Sequence, residues 1–411
     1  MTGPVSSGDQ RSLVVLGGAD GAITTIRAAR RVGLRTICFD ARLDAPAVRR
    51  ADEAYDVSTR DVAALLDRLG GRSDVAGVVS PASDVNLPSQ FWLARQLNLP
   101  CGLSEDALRA SVDKGFFRAL SDSLGHPGPR FVQGTPAEVR GALGETFPVI
   151  VKPTDSSGGR GVSLCQGVDD LDEALRIANE RSPSGVVIVE EFLDGSHHSA
   201  EAVVCDGRIA LLAVGDRVLT PLPHFVTVEH RMPTGVPGLA ERVAAMLTEV
   251  CAAMDYRWGS LNVDVLVRPD GEVVLVELGA RLGGNGSAEL LGLVHGLDVP
   301  ELYVRMAVGE RPSLTPHRSA HAAMRVLTAD QPGKLLSIAG VAEALAVPGV
   351  VDLVLSAQPG DRVEPYHRAG AKLGYVMVAA PDGQQIQSTL DAVTARLGPE
   401  IAPEAPGEAP A

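Results

Sequence analysis

The apolar positions of this chain fall into two rhythms. In "SLVVLGG", "LRTICFD", "VAGVVSPAS", "FPVIV" and "GVVIVEEFLDG" they form short, nearly continuous runs bounded by Gly, Pro, Asp or Ser. Such runs read as strands buried on both faces. "ADGAITTIRAARRVG" and "DVNLPSQFWLARQL" instead repeat apolar residues at helical spacing. Residues 12 to 40 therefore read strand, glycine turn, helix, strand, and an open parallel α/β domain extends over residues 1–110. "SEDALRASVDKGFFRALSDSLG" is predicted as a helix with Ser104 as its cap, and "HPGPRFVQG" ends it. Strands and helices then alternate through a central domain over residues 111–312. Within it "AERVAAMLTEVCAAMDY" is an amphipathic helix, and "SLNVDVLVRPDGEVVLVELGAR" is a hairpin turning at Pro269-Asp270-Gly271. After "RPSLTPHRS" short strands and turns form a small α+β domain over residues 313–398. Residues 399–411 are rich in Pro, Glu and Ala and read as a disordered tail. The fold class is thus α/β and α+β, in three domains.

Composition removes several classes of function. With 45% apolar and 21% charged residues, the 411-residue chain is an ordinary globular protein too long for one core. A net charge of −14 argues against nucleic-acid and anionic-membrane partners. No apolar run could span a bilayer, and "MTGPVSSGDQR" lacks the segments of a signal peptide, so a cytoplasmic location is expected. The five cysteines are scattered without metal-ligand spacing and read as thiols of a reducing compartment. Only four of the 37 basic residues are lysines: Lys114, Lys152, Lys334 and Lys372. A lysine surviving in so arginine-rich a chain marks a candidate for a compact ammonium on a flexible stem, with chance survival the alternative.

Lys152 ends an apolar strand, where an unpaired ammonium is costly and calls for an anionic partner. The loop behind it, "DSSGGRGV", offers backbone N–H groups and hydroxyls that suit phosphate. It is not a Walker A loop, because the lysine precedes the glycines; a hairpin turn with a solvated lysine is the alternative. Glu190, Glu191 and Leu193 end another buried strand at a turn whose backbone could read an adenine edge. Asp264 and Glu277 each sit within an apolar strand of the hairpin, where they can face each other across the ladder. Two such carboxylates repel unless a cation lies between them, and oxygen-only ligands suit Mg²⁺ with phosphate. Arg281 follows as a candidate bidentate grip on phosphate or carboxylate. "LGGADG", by contrast, does not fit the dinucleotide fingerprint.

In this order, "SVDKGFF", "VIVKPTDSSGGRGV", "VEEFLDG" and "VELGARLGGNG" resemble the motifs of the ATP-grasp superfamily. The resemblance implies a pre-ATP-grasp domain, an ATP-grasp domain and a C-terminal domain, with ATP and Mg²⁺ (or Mn²⁺) as cofactors. It implies that Lys114 and Lys152 hold the α- and β-phosphates beneath a loop containing Ser156, Ser157, Gly158 and Gly161. Glu190, Glu191 and Leu193 would frame the adenine, and Asp264 and Glu277 would hold the metal ions. Arg281, with Lys152, would stabilise the transferring phosphoryl group or acyl-phosphate.

Two departures stand out. Gly279 replaces an Asn common in relatives, leaving Asn262 or water to supply that oxygen. "SHHSAE" replaces a ribose-binding Glu, leaving His197 or His198, while Glu201 matches a second acidic position. The C-terminal stretch resembles that of L-amino-acid ligases, and "HFVTVEHRMPTG" their segment before the amphipathic helix, which puts His230, and His224 with it, near the substrate; either could equally be a hydrogen-bonded strand-edge histidine. Gly283 and Asn285 complete the candidate substrate residues. The implied activity is an ADP-forming carboxylate–amine ligase acting on small molecules, and the resemblance implies a homodimer. A carboxyphosphate- or formyl-phosphate-forming enzyme of purine-type metabolism, or a non-catalytic ATP-binding protein, are the alternatives.

Overall fold

Each buried run becomes a strand in the computed structural model, which describes residues 10–142, 146–156, 158–221 and 226–403. Four parallel strands open the chain, in the order Glu53–Asp56, Arg35–Asp40, Ser12–Leu16, Val75–Val79. Their inner strand Ser12–Leu16 is fully buried, as a parallel strand covered on both faces must be. A second, antiparallel sheet runs Phe131–Gly134, Val187–Glu191, Val149–Pro153, Ser163–Cys165. Val149 and Val151 pack with Leu171 and Leu175 of the helix Val168–Glu180, so Lys152 is left facing the other way.

The largest sheet has eight strands, in the order Val273–Gly279, Trp258–Val267, Ser196–Cys205, Arg208–Leu219, Thr227–Met232, His321–Leu327, Gly374–Ala380, Val350–Leu355. It crosses the expected boundary at residues 312 and 313, because His321–Leu327 pairs with Thr227–Met232, with His230 opposite Met324. One core reaches from Ile26 in the first helix through Leu290 and Val304 to Met324 and Tyr375. The three sequence domains are therefore joined by shared sheet and shared core.

Two expectations change. The helix expected after Ser104 is two helices, Glu105–Val112 and Lys114–Ser123. Asp113 between them is extended, and its carboxylate accepts from Phe116 N at 3.1 Å as the cap of the second helix. Lys114 thus opens a helix. The tail expected to be disordered from residue 399 is instead a strand, Gly398–Pro403, paired with Gly333–Ala339. Leu335 and Ile401 give this pairing an apolar face that composition alone hides. Residues 404–411 lie outside the described residues.

Candidate active site

A cleft of about 1200 Å³ opens between the small sheet and one face of the large one, and loops of the first and last domains close its far end. Strand alternation decides what faces it. On adjacent strands of the large sheet, Asp264 lies opposite Glu277 and Asn262 opposite Gly279. Both carboxylates keep more than a third of their side-chain surface exposed. Arg217, on the strand Arg208–Leu219 one strand removed from that of Asp264, pairs with Asp264 at 2.6 Å, and Lys114 reaches Glu277 at 3.1 Å. Lys114 also donates to the Ser156 carbonyl at 2.6 Å, which ties the glycine loop to the metal-side strand.

The opposite wall is a buried charge cluster. Glu190 accepts from Lys152 at 2.5 Å and from Arg118 at 2.7 Å, all three nearly excluded from solvent. Burial pushes the Glu190 carboxyl up, but Arg118 and Lys152 more than offset it and bring it down to about 2. Burial also lowers Lys152, with Glu190 acting against that shift. Arg118 further donates to the carbonyls of Leu275 and Val276 at 3.1 and 2.6 Å. The register slips next to Val276, so a bulge turns this stretch toward Arg118. Glu190 is thereby spent on holding Lys152 in place, and Glu191, Phe192 and Leu193 line the cleft at the hinge.

Arg281 is gripped by both oxygens of Asp84 at 2.9 and 2.7 Å and donates to Asn262 Oδ1 at 2.7 Å. Asp84 comes from the first domain, after the strand Val75–Val79. The departure at Gly279 has a steric counterpart here: a β-carbon at that position would lie 2.4 Å from Asp84 Oδ1. Glu201 is buried beneath Asn262, accepting from it at 2.6 Å and from Ser287 at 2.7 Å. Burial raises its carboxyl to about 7 against those bonds. Gly283 leaves no room for a side chain, since a β-carbon would meet Glu201 at 2.0 Å.

Of the expected residues, Lys114, Lys152, Ser156, Gly158, Glu190, Glu191, Leu193, His230, Asp264, Glu277, Arg281 and Asn285 line this one cleft. Gly161 packs beside Arg181 with φ +78°. His197 faces the cleft, whereas His198 lies on the other face of its strand, 3.0 Å from Asp216. His230 is buried with Nδ1 3.0 Å from Ser199 Oγ, and burial with the Arg217 charge takes it down to about 3, so it is neutral. Ser157 and His224 lie outside the described residues. Sequence reasoning passed over Arg118, Arg217 and Asp84, and it singled out Lys372 without giving it a place in the site. Lys372 lines the far end, pairing with Asp20 at 2.9 Å and bonding Asn285. Its rarity as a lysine was a usable signal.

Known proteins resemble this chain in sequence and fold. Residues 145–289 match the ATP-grasp domain, and residues 325–402 match the L-amino acid ligase C-terminal domain 2. A formate-dependent phosphoribosylglycinamide formyltransferase of Synechococcus sp. (strain WH7803) is 30% identical over 335 residues, 77% of this chain and 81% of the relative. The chain belongs to the ATP-grasp family. It is an ATP-grasp ligase, of the class that forms C–N bonds with release of ADP. The likeness to solved structures extends over nearly the whole chain. The L-amino acid ligase of Bacillus licheniformis superposes with a TM-score of 0.79 at 18% identity, covering 96% of this chain and all of that one (100%). The biotin carboxylase domain of Hydrogenobacter thermophilus 2-oxoglutarate carboxylase, solved with MgADP and bicarbonate, gives 0.78 at 16% identity, covering 96% and 91%. Among the described residues no group of three or more His, Cys, Asp or Glu is placed to hold a metal alone. Two facing carboxylates suit an ion that takes its remaining ligands from phosphate and water, as Mg²⁺ does. Among them, too, no helix is long and apolar enough to cross a membrane.

Proposed function

We propose that this ATP-grasp ligase activates the carboxylate of an amino acid as an acyl-phosphate and joins it to an amine, giving a dipeptide or amide. The observation that carries this reading is the meeting, in one cleft, of two lysines, a glycine loop and two register-paired carboxylates. The C-terminal match to L-amino acid ligases points to the amino-acid substrate.

ATP lies with its adenine at the Glu191–Leu193 hinge and its ribose beside His197. Lys114 and Lys152 hold its phosphates under the loop of Ser156 and Gly158. Asp264 and Glu277 would hold Mg²⁺, which neutralises charge on the phosphates when bound. The substrate carboxylate oxygen attacks the γ-phosphorus, ADP leaves, and the amine nitrogen then attacks the acyl carbon and expels phosphate. Arg281 faces the charge that develops on the transferring group. No side-chain nucleophile is required by this sequence of steps. Mn²⁺ would substitute for Mg²⁺, and dimerisation is expected from the family resemblance.

A second reading has its own support in the 30% identity to the formyltransferase. There formate would be phosphorylated and a phosphoribosyl amine would be the acceptor. The deciding experiment is release of ADP and phosphate with Mg-ATP across pairs of amino acids, beside Lys152→Ala and Glu277→Ala. Release that needs a carboxylate and an amine together, and is lost in both variants, supports the amino-acid reading. Silence with every pair but turnover with formate and phosphoribosylglycinamide establishes the second. Tight ATP binding with neither activity marks a non-catalytic protein.

A further inference from the structure

The cations that line the cleft are held by partners of different kinds. Arg118 and Lys152 share Glu190, deep in the small-sheet wall. Arg281 is fixed by both oxygens of Asp84. Lys114 is anchored on the Ser156 carbonyl beneath the glycine loop. Arg217 and Lys114 instead pair with Asp264 and Glu277, the two carboxylates proposed to hold the metal, and of these two cations Arg217 is the one whose guanidinium is also held by Thr227.

The guanidinium of Arg217 is held at two edges. Nη1 contacts Asp264 at 2.6 Å, while Nε and Nη2 both donate to Thr227 Oγ1 at 3.1 and 2.7 Å. A divalent cation outcompetes a guanidinium for the same carboxylate oxygen, since the Coulomb attraction scales with charge. Metal binding would then strip Nη1 of its partner while Thr227 keeps the plane oriented. The released edge faces the cleft across from His230, which lies opposite Arg217 in the strand register. A planar, permanently charged fork suits a carboxylate better than an ammonium would.

We propose that Arg217 is a metal-gated carboxylate seat. It neutralises Asp264 in the empty cleft and, once displaced by the metal, binds the acyl donor's carboxylate together with Thr227 and His230. Donor binding therefore follows Mg-ATP. The donor's identity rests on the ligase reading above; the exchange at Asp264 does not.

Arg217→Met and Arg217→Lys test it, with two probes that need no turnover. Mn²⁺ titrated into the protein–ADP complex, with free Mn²⁺ followed by its electron paramagnetic resonance signal, should bind Arg217→Met at least about threefold tighter than wild type. Unchanged or weaker binding overturns the proposal. Acetate is the minimal carboxylate. It should raise the melting midpoint of the wild type, relative to chloride, only when Mg-ADP is present. Arg217→Met should lose that response and Arg217→Lys should keep part of it. An equal acetate effect without Mg-ADP, or in Arg217→Met, also overturns it. If a productive substrate pair is in hand, Arg217→Met should raise KM for the carboxylate about tenfold or more with KM for ATP nearly unchanged. The reverse split would assign Arg217 to the phosphates instead. Silence with every amino-acid pair defeats the amino-acid reading but leaves both binding arms decisive.

Discussion

The two walls of the cleft balance their charges in opposite ways. On the small-sheet wall Glu190, Lys152 and Arg118 are buried together, each satisfied by the others. On the large-sheet floor Asp264 and Glu277 remain partly open to water, each with a cation that reaches it from another element. A buried charge cannot be parted from its partner without leaving a bare ion in a poorly solvating place. In a partly hydrated pair the carboxylate can take a metal and the cation a phosphate at small cost. One wall is built to hold its geometry through the reaction, and the other to change partners during it.

Removing one member of the locked wall should therefore cost the most stability. Glu190→Ala leaves Lys152 and Arg118 uncompensated and should destabilise the protein by about 3–5 kcal/mol. The check is a thermal or urea unfolding curve, in which Glu190→Gln should lose less because it keeps a hydrogen-bond acceptor. Equal stability in all three proteins would erase the contrast between the walls.

The exchanging floor should show the converse. Asp264→Asn should cut ADP release by about a hundredfold or more, a loss of some 2.7 kcal/mol at the transition state. Its unfolding midpoint should stay close to that of the wild type, because the lost pair is partly solvated. A large stability loss with modest kinetic change would mean that Asp264 is structural.

A third test sharpens the comparison through pH. His230 is depressed from 6.5 to about 3, chiefly by burial and then by Arg217. Between those values the unfolded chain binds a proton that the folded protein refuses, so folding stability falls as pH drops from 6.5 toward 3. His230→Gln should flatten that part of the stability–pH curve. Arg217→Met should recover only a fraction of it, since burial is the larger cause. An unchanged slope in His230→Gln would place the acid sensitivity elsewhere.

Much of the site could be read from local pattern. A lysine at the end of an apolar strand has one physical solution, an anion, and the glycines behind Lys152 narrow the kind of anion. Asp264 and Glu277 betray themselves as lone charges in apolar strands that a Pro-Asp-Gly turn must bring together. The split at Asp113 was harder, because a single residue with extended backbone leaves helical periodicity on both sides intact. Gly398–Pro403 was misread for a related reason: its partner strand begins some sixty residues earlier, and composition carries no trace of pairing at that distance.

The sequence by itself thus determined most of the strands, the turn chemistry and which residues are candidates for phosphate and metal, since each follows from neighbours a few positions away. Tertiary structure alone decided the counter-charges. Arg118 reaches Glu190 from 72 positions away, and Asp84 grips Arg281 across 197. Arg217 meets Asp264 only because two strands flank a third. Such pairs depend on register and on which domain surfaces meet. A side chain's charge announces that it needs a partner, while only the packed fold says which partner lies within Coulomb reach.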